Sequence, residues 1–263
     1  MPEEKDKRFI ILPIFLVIDN SVSMETDDRY KHVFDFLPML VAKIGTSGAL
    51  KDKVRIEVIA FGSEAKQILG LSEITRLSTW LNEREVEPIL PDGGSTSYGE
   101  AFKMLKNSIE VGCKQIESEV ALGNSKHSVY RPTVFFFTDG EPNDNEKSRL
   151  DYHNQLTDSS FRYQPNIICV GFGDATLESL KKYSAGSYKS PTGKYDVGNE
   201  KLVLMAKKDN SIEEQLHSII NALINSIVQS LSCDAGDGVS EGGLPEPFGD
   251  DIFDEVFEEI YNS

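Results

Sequence analysis

Cysteine is scarce in this sequence, and the few that occur suggest neither a disulfide framework nor a metal site. The three cysteines, Cys113, Cys169 and Cys233, are odd in number and far apart. Metal-binding cysteines usually stand about two to four residues apart, and small secreted domains carry even sets. Cys169 lies in an apolar run and is predicted to be a buried core thiol. This usage favours a reducing compartment, and we expect a cytoplasmic protein.

Positive charge and long apolar runs are also lacking. Lys and Arg number 27 against 43 Asp and Glu, giving a net charge of −16, which argues against nucleic-acid and anionic-membrane partners. No apolar run approaches the roughly 20 residues that span a bilayer, and residues 1–8 form a charged leader without the apolar core of a signal peptide. Ten acids and no Lys or Arg occur in residues 233–263. We therefore expect the C-terminus to be separate from a mildly acidic domain over residues 9–232.

Strand-like and helix-like segments alternate along that domain. Apolar segments predict six strands, over residues 9–18, 53–61, 65–71, 133–138, 166–172 and 201–205. Helical spacing predicts helices over residues 27–45, 98–122, 146–159, 177–183 and 212–231. The alternation predicts an α/β fold, a doubly wound, mostly parallel six-stranded sheet with helices on both faces.

Several details of the pattern carry expectations of their own. Pro38 should kink the first predicted helix or delay its start. In the second strand Arg55 and Glu57 alternate with apolar residues, so this strand is expected to be partly exposed. Residues 78–90 are ambiguous, and Trp80 among them is expected to pack rather than to bind a ligand. Residues 184–200 are expected to form a long loop.

Polar oxygens follow the ends of two apolar strands and occur in one glycine-rich loop. Asp19, Ser21 and Ser23 come after the first strand, Thr96 lies in the loop over residues 91–99, and Asp139 follows the fourth strand. If the first and fourth strands are neighbours, their ends flank the crevice where strand order reverses and ligands bind. Carboxylate and hydroxyl oxygens suit a hard cation such as Mg²⁺. We therefore expect these five side chains to converge on one cation.

The order and spacing of these residues resemble the von Willebrand factor type A (VWA) family over about residues 9–230. Asp19-Asn-Ser21-Val-Ser23 fits its DxSxS motif. Thr96 in Gly-Gly-Ser-Thr and Asp139 in Thr-Asp-Gly fit the other two parts of its metal-ion-dependent adhesion site (MIDAS). The segments 93–99 and 135–144 look most like bacterial TerY-like VWA proteins of tellurium-resistance and stress gene clusters.

The resemblance implies direct ligation by Ser21, Ser23 and Thr96, with Asp19 and Asp139 acting through waters. The usual metal of the family is Mg²⁺, with Mn²⁺ and Ca²⁺ as alternatives. The usual role is non-enzymatic, metal-dependent binding of another protein that supplies an acidic residue. Bacterial relatives resemble adaptors that work beside kinases, phosphatases or other stress and defence proteins.

Alternatives remain open for one ligand and for the function. TerY-like loops read Gly-Gly-Thr, whereas Ser95 intervenes here, so Ser95 or Ser97 is an alternative to Thr96. A regulatory subunit with a merely structural metal site is a second reading of the function. A metal-dependent hydrolase is a third, less favoured because no histidine lies near the three segments and hydrolysis needs a base or nucleophile beside the metal.

The acidic C-terminus combines acids with apolar residues at helical spacing. Residues 233–247 indicate an acidic, Gly-rich linker, and residues 248–263 an acidic and aromatic tail. One face of a tail helix would carry Ile252, Phe253, Val256, Phe257 and Ile260, and with Phe248 these are the predicted partner-binding residues. We predict a docking helix for a partner protein, for the body of the chain or for a second copy of it.

Overall fold

One mostly parallel sheet organises the chain. The structure is a computed structural model and describes residues 10–46, 51–83, 94–119, 127–186, 188–189, 196–197 and 203–205. Its strands are β1 (Ile10–Asp19), β2 (Val54–Phe61), β3 (Ala65–Glu73), β4 (Ser128–Val129), β5 (Thr133–Thr138), β6 (Asn166–Gly171), β7 (Tyr188–Lys189), β8 (Asp196–Val197) and β9 (Val203–Met205). The main sheet has the order β3-β2-β1-β5-β6-β9, with β3 antiparallel to β2 and short β4 beside the start of β1.

All six strands predicted from the sequence are present, with ends displaced by at most two residues. The predicted α/β fold and mostly parallel sheet are therefore confirmed. β1 and β5 are direct parallel neighbours, from the pair Ile14 and Thr133 to the pair Ile18 and Phe137. The chain lays β2 and β3 on one side of β1 and lays β5, β6 and β9 on the other. Strand order consequently reverses between β1 and β5, as the predicted site requires.

A proline in the middle of central strand β1 is unusual because proline cannot donate to the ladder. The amide of Leu12 points toward β2, where it donates to the carbonyl of Lys53 at 2.7 Å. The nitrogen of Pro13 therefore points toward the opposite side. On that side the pairing of β1 passes from β4, which ends at Val129, to β5, which begins at Thr133. Pro13 thus lies where the ladder is already interrupted.

Helices cover both faces of this sheet. They are a 3-10 helix (Val22–Asp28), α1 (Arg29–Phe34), α2 (Phe36–Gly45), α3 (Ile74–Glu83), α4 (Tyr98–Ser118), α5 (Glu146–Thr157) and α6 (Leu177–Tyr183). The helix predicted over residues 27–45 is divided at Asp35 between α1 and α2. Pro38 is the third residue of α2, where a missing N–H breaks no hydrogen bond within that helix. The interruption expected from Pro38 is confirmed.

Alternate residues of β1 enter two separate apolar cores. Leu12, Ile14, Leu16 and Ile18 lie in the core that also contains apolar residues of α1, α2 and α3. Ile11, Phe15 and Val17 lie in the core that contains apolar residues of α4, α5 and α6. Because successive side chains of a strand point to opposite faces, a strand that is apolar on both faces must be covered on both. Cys169 is a buried free thiol of the second core, as predicted.

The expectation that β2 is partly exposed is wrong. All eight of its residues are buried, because β1 and β3 flank it and α4 contacts it. Arg55 is paired with Glu73 at 2.9 Å, and Glu57 accepts a 2.8 Å hydrogen bond from Gln67 Nε2. The polar alternation therefore marks buried and partnered charges rather than a solvent-facing edge.

Two other expectations are refined. The described part of the ambiguous stretch, residues 78–83, forms the end of α3, and Trp80 packs against the first core, as expected. The loop expected over residues 184–200 contains an antiparallel pair, β7 with β8. The leader over residues 1–8, the helix predicted over residues 212–231, the linker and the tail lie outside the described residues, and the division of the chain into domains stays a prediction.

The burial of Glu57 predicts a pH-dependent cost in stability. Its pKa is raised above the ordinary value of 4.5, chiefly by burial. Its contribution to stability is therefore full below pH 4.5 and is lost as pH rises through the raised pKa. Since glutamine does not titrate, the thermal unfolding midpoint of Glu57→Gln should gain on that of the wild type as the pH rises above 4.5. Circular dichroism measures the midpoints.

The matched control is Glu178→Gln, which removes an exposed carboxylate from α6. The difference between its thermal unfolding midpoint and that of the wild type should stay constant across the same pH range. A Glu57→Gln difference that stays constant with pH would show that Glu57 ionises in the folded chain as it does in the unfolded one.

Candidate metal centre

Two carboxylates end neighbouring strands at the point where strand order reverses. Asp19 is the last residue of β1, and Asp139 directly follows Thr138, the last residue of β5. Both side chains are fully buried. Parallel pairing of β1 with β5 brings these two ends to the same edge of the sheet. The convergence of Asp19 and Asp139 therefore follows from the strand order.

A chain of short polar contacts, made by one backbone amide and two serine hydroxyls, links the two carboxylates. The amide of Ser21 donates to Asp19 Oδ1 at 2.9 Å. Ser21 Oγ and Ser23 Oγ are 3.0 Å apart, and Ser23 Oγ donates to Asp139 Oδ1 at 2.7 Å. Ser21 precedes the 3-10 helix in an extended conformation, which brings the two alternate serine hydroxyls together. Four of the five predicted residues are thus in contact.

The spacing of these oxygens suits a small divalent cation. Mg²⁺ is bound by oxygens at about 2.0–2.1 Å in an octahedron, so adjacent ligands lie about 2.9 Å apart. Ser21 Oγ and Ser23 Oγ, which the resemblance implies are direct ligands, are 3.0 Å apart. Two carboxylates also match the charge of the ion. The donor set and its spacing therefore fit the metal that the family resemblance implies.

Thr96 is buried and is held against the loop that follows Asp139. Its amide donates to Asn143 Oδ1 at 3.0 Å, and its carbonyl accepts from the amide of Asn143 at 3.1 Å. Within the described part of the chain, its hydroxyl makes no hydrogen bond to any of the other four predicted residues. The structure thus places Thr96 by its backbone, next to the segment that carries Asp139.

The two serines beside Thr96 have other partners. The hydroxyl of Ser95 is exposed and lies 3.5 Å from Ser63 Oγ. The hydroxyl of Ser97 caps α4 by accepting from the amide of Glu100, and it donates to Asp144 Oδ2 at 3.1 Å. These contacts favour Thr96 over Ser95 and Ser97 as the hydroxyl available to a cation.

Asp19 is a buried carboxylate whose nearest partners are neutral. Thr138 Oγ1 donates to Asp19 Oδ2 at 2.7 Å, and the hydroxyl of Tyr98 lies 3.2 Å from the same Thr138 oxygen and 2.8 Å from the carbonyl of Gly140. Burial raises the pKa of Asp19 to about 6, against the hydrogen bonds from Ser21 and Thr138. A carboxylate held this way is stabilised in its charged form by a bound cation.

Asp139 has a cationic partner that the sequence did not reveal. Arg29, the first residue of α1, donates from Nη1 to Asp139 Oδ2 at 2.7 Å. These two residues are 110 positions apart, and Arg29 follows acidic residues of the kind common on a solvated surface. No motif in the sequence marked this arginine.

A second ion pair joins Arg149 and Asp144, whose side chains are 8% and 15% exposed. Arg149 on α5 pairs with Asp144 and donates from Nε to the hydroxyl of Tyr183 at 2.6 Å. Asp144 Oδ2 also accepts from the amide of Gly99 at 2.6 Å and from Ser97. Asp144 therefore fastens the start of α4 to α5. Asp144 is therefore a structural acid, whereas Glu141 is exposed and accepts from Thr176 at 2.6 Å.

The described residues contain no group of three or more His, Cys, Asp or Glu side chains able to hold a metal. A cation at the site would accordingly rely on hydroxyls as well as the two acids. Buried His153 makes its hydrogen bond to the carbonyl of Tyr183, at 2.9 Å, and not to the site.

None of the described helices is both long and apolar enough to cross a membrane.

Comparison with known proteins identifies the domain type. A family model for the von Willebrand factor type A domain matches residues 14–199, more than half of the chain. A search of curated proteins finds no match.

Solved structures share the fold at low identity. Proximal thread matrix protein 1 from the mussel byssus is 17% identical, with a TM-score of 0.56 over 87% of this chain and 50% of that one. Another structure of the mussel protein has a zinc-occupied MIDAS motif. The pilus adhesin SpaC from Lactobacillus rhamnosus GG is 13% identical, with a TM-score of 0.56 over 84% of this chain and 31% of that one. The SpRpn10 VWA domain is 12% identical, with a TM-score of 0.51 over 80% of this chain and 95% of that one.

This chain therefore spans about half the length of the mussel protein and less than a third of SpaC. Likeness at these identities shows the fold alone.

The pair of Asp144 and Arg149 should support the stability of the site. Arg149→Ala leaves Asp144 without its cation and Tyr183 without its donor, and it should lower the free energy of unfolding by about 2–4 kcal/mol. Urea unfolding measures the change.

The matched control is Arg162→Ala, which breaks the ion pair of Arg162 with Glu117. Because Arg162 is 69% exposed, the control should cost less than about 1 kcal/mol. Equal losses in the two variants would contradict a supporting role for the pair of Asp144 and Arg149.

Proposed function

The chain belongs to the von Willebrand factor type A domain family, and from that premise we propose that it is a metal-dependent protein-binding module. Domains of this type typically mediate protein–protein interactions. The specific proposal is that a divalent cation, Mg²⁺ in the first place, is held by Asp19, Ser21, Ser23, Thr96 and Asp139. The cation in turn binds an acidic group of a partner protein.

The observation that carries the proposal is the unbroken contact chain from Asp19 through Ser21 and Ser23 to Asp139. Buried carboxylates in proteins are normally paired or coordinate metals. Asp139 has Arg29 as a counter-charge, but the partners of Asp19 are neutral. Two adjacent buried acids of this kind are more readily explained by the binding of a cation than by a structural role alone.

Each residue of the site has a distinct role in the proposal. Ser21, Ser23 and Thr96 supply neutral hydroxyl oxygens as direct ligands. Asp19 and Asp139 supply the negative charge, acting mostly through waters. A bound Mg²⁺ would offer a coordination position to a carboxylate from outside the chain. Neutral direct ligands favour an anionic partner group because they leave the positive charge of the ion uncompensated on that side.

We infer that the protein is not an enzyme. Metal-dependent hydrolysis needs a base or nucleophile beside the metal. The ionisable groups in contact with the predicted ligands among the described residues are Arg29 and the two acids themselves. The hydrolase reading therefore ranks below the binding module, and phosphatase assays with and without Mg²⁺ distinguish the two.

A second candidate places recognition in the acidic tail. The sequence of residues 248–263 favours a docking helix, so the chain would be a regulatory subunit that recruits a kinase, a phosphatase or another effector, with a structural metal site. The narrower assignment to a TerY-like stress or defence adaptor rests on the sequence cues at residues 93–99 and 135–144.

A cytoplasmic location is proposed because Cys113 and Cys169 are both free thiols.

Metal binding tests the ligand set. Isothermal titration with Mg²⁺ and Mn²⁺ should show one site on the full chain. Ser23→Ala removes a direct ligand and the hydrogen bond to Asp139, so it should weaken metal binding by about 10–100-fold. The control Ser95→Ala removes an exposed hydroxyl one residue from Thr96 and should change the affinity by less than about twofold. Absence of binding to the wild type, or equal losses in both variants, would refute the site.

Carboxylate binding tests the proposed function separately. Acetate stands in for the acidic group of a partner, and Mn²⁺ stands in for Mg²⁺ because it is paramagnetic. If acetate enters the coordination sphere of the bound ion and displaces water, the enhancement of water proton relaxation should fall as acetate is added. Acetate that leaves the relaxation of the Mn²⁺-loaded chain unchanged would favour the structural-metal candidate.

A further inference from the structure

Arg29 is a nearly buried cation at the edge of the candidate metal centre. Its side chain is 11% exposed, and its Nη1 pairs with the fully buried carboxylate of Asp139 at 2.7 Å. The Nε of Arg29 is buried and makes no hydrogen bond to any residue that the structure describes. A buried N–H without a hydrogen bond costs free energy. A purely structural role for Arg29 does not explain why this cost is tolerated.

The backbone beside β6 is shaped to admit this arginine. Gly173 has a φ of +60°, and a Cβ at this position would lie 2.6 Å from Arg29 Nη1 and 3.1 Å from the carbonyl oxygen of Asp139. The amide of Asp174 donates to that same carbonyl at 2.8 Å. A residue with a side chain would displace Arg29 from Asp139. The loop after β6 therefore holds the ion pair in a defined place.

Arg29 does not occupy the place of a cation. The two oxygens of Asp139 are divided between different partners, since Oδ1 accepts from Ser23 and Oδ2 accepts from Arg29. Ser23 continues the line of contacts toward Ser21 and Asp19. The oxygen that faces the proposed ligands is accordingly free of the arginine. Arg29 and a bound cation can be present together, on opposite sides of one carboxylate.

We propose that Arg29 sets the charge of the loaded metal centre, and so weakens metal binding while strengthening the binding of an acidic group to the bound metal. The inference rests on the proposed function. A divalent cation with Asp19 and Asp139 is formally neutral, whereas the same centre with Arg29 carries one positive charge. This added charge repels an incoming cation and attracts an incoming carboxylate. Arg29 would thereby favour acidic partners over neutral ones.

A purely structural role for Arg29 predicts a different result. If Arg29 only orients Asp139, its loss should disorder that carboxylate and weaken the binding of the metal and of the acidic group together. The charge effect predicts changes of opposite sign in the two affinities. The two explanations are therefore separated by the direction of the change and not by its size.

The test compares Arg29→Gln, Arg29→Lys and the control Lys31→Gln in the full chain. Lys31 is an exposed residue of the same helix, so its loss removes the same charge away from the site. Mn²⁺ affinity is measured by calorimetry, and acetate affinity for the Mn²⁺-loaded chain by water proton relaxation. In Arg29→Gln, Mn²⁺ should bind on the order of tenfold more tightly and acetate on the order of tenfold more weakly. Arg29→Lys keeps the charge, and it should stay near the wild type, as should Lys31→Gln.

Weaker Mn²⁺ binding in Arg29→Gln, or no change in either affinity, would overturn the inference while leaving the proposed function intact. Failure of every variant and of the wild type to bind Mn²⁺ would refute the proposed function, and the inference with it. If Arg29→Gln is folded without metal but too unstable for calorimetry, the shift in its thermal unfolding midpoint on adding Mn²⁺ is measured instead. That shift should exceed the wild-type shift, and a smaller one would overturn the inference.

Discussion

The burial of two like charges beside each other is the constraint on which the structure around this site depends. Asp19 and Asp139 are fully buried at the ends of adjacent parallel strands, where desolvation and mutual repulsion both disfavour their charged forms. The hydrogen bonds that the two carboxylates accept stabilise their charged forms. Asp19 accepts from the amide of Ser21 and the hydroxyl of Thr138, and Asp139 accepts from Ser23 and Arg29. The raised pKa of Asp19 shows that these contacts offset its burial only in part.

The part of the cost of burying Asp19 that its hydrogen bonds do not offset connects the fold to the proposed function. A fold that placed the two acids together only for stability would be improved by replacing them with apolar residues of similar volume. Their position beside two serine hydroxyls that lie 3.0 Å apart instead supports the proposed cation site. The pair of Asp144 and Arg149 has a supporting role. It joins α5 to the start of α4, immediately after Thr96, and so holds the third segment of the site in place.

The elements that sequence reasoning predicted well are those whose signal is local. The six main strands are long apolar runs bounded by polar or glycine-rich residues, and helices such as α6 show a regular apolar spacing. Asp19, Ser21 and Ser23 could be chosen because they follow such a run directly, and Asp139 for the same reason. The expectation for β2 was wrong because alternation of charged and apolar residues looks the same whether the charged face meets water or meets partners. Only the packing of β3 and α4 over β2 decides between these cases.

The amino-acid sequence by itself determined the α/β class, the positions of the main strands and which acids and hydroxyls stand at their ends, because hydrophobic periodicity and strand termini are properties of neighbouring residues. The tertiary structure alone decided the partners of those residues. Arg29 meets Asp139 across 110 positions, and Asp144 holds Ser97 across 47. Both contacts arise from strand order and helix packing. No local pattern in the sequence records these contacts, because they join residues that are distant along the chain and close only in space.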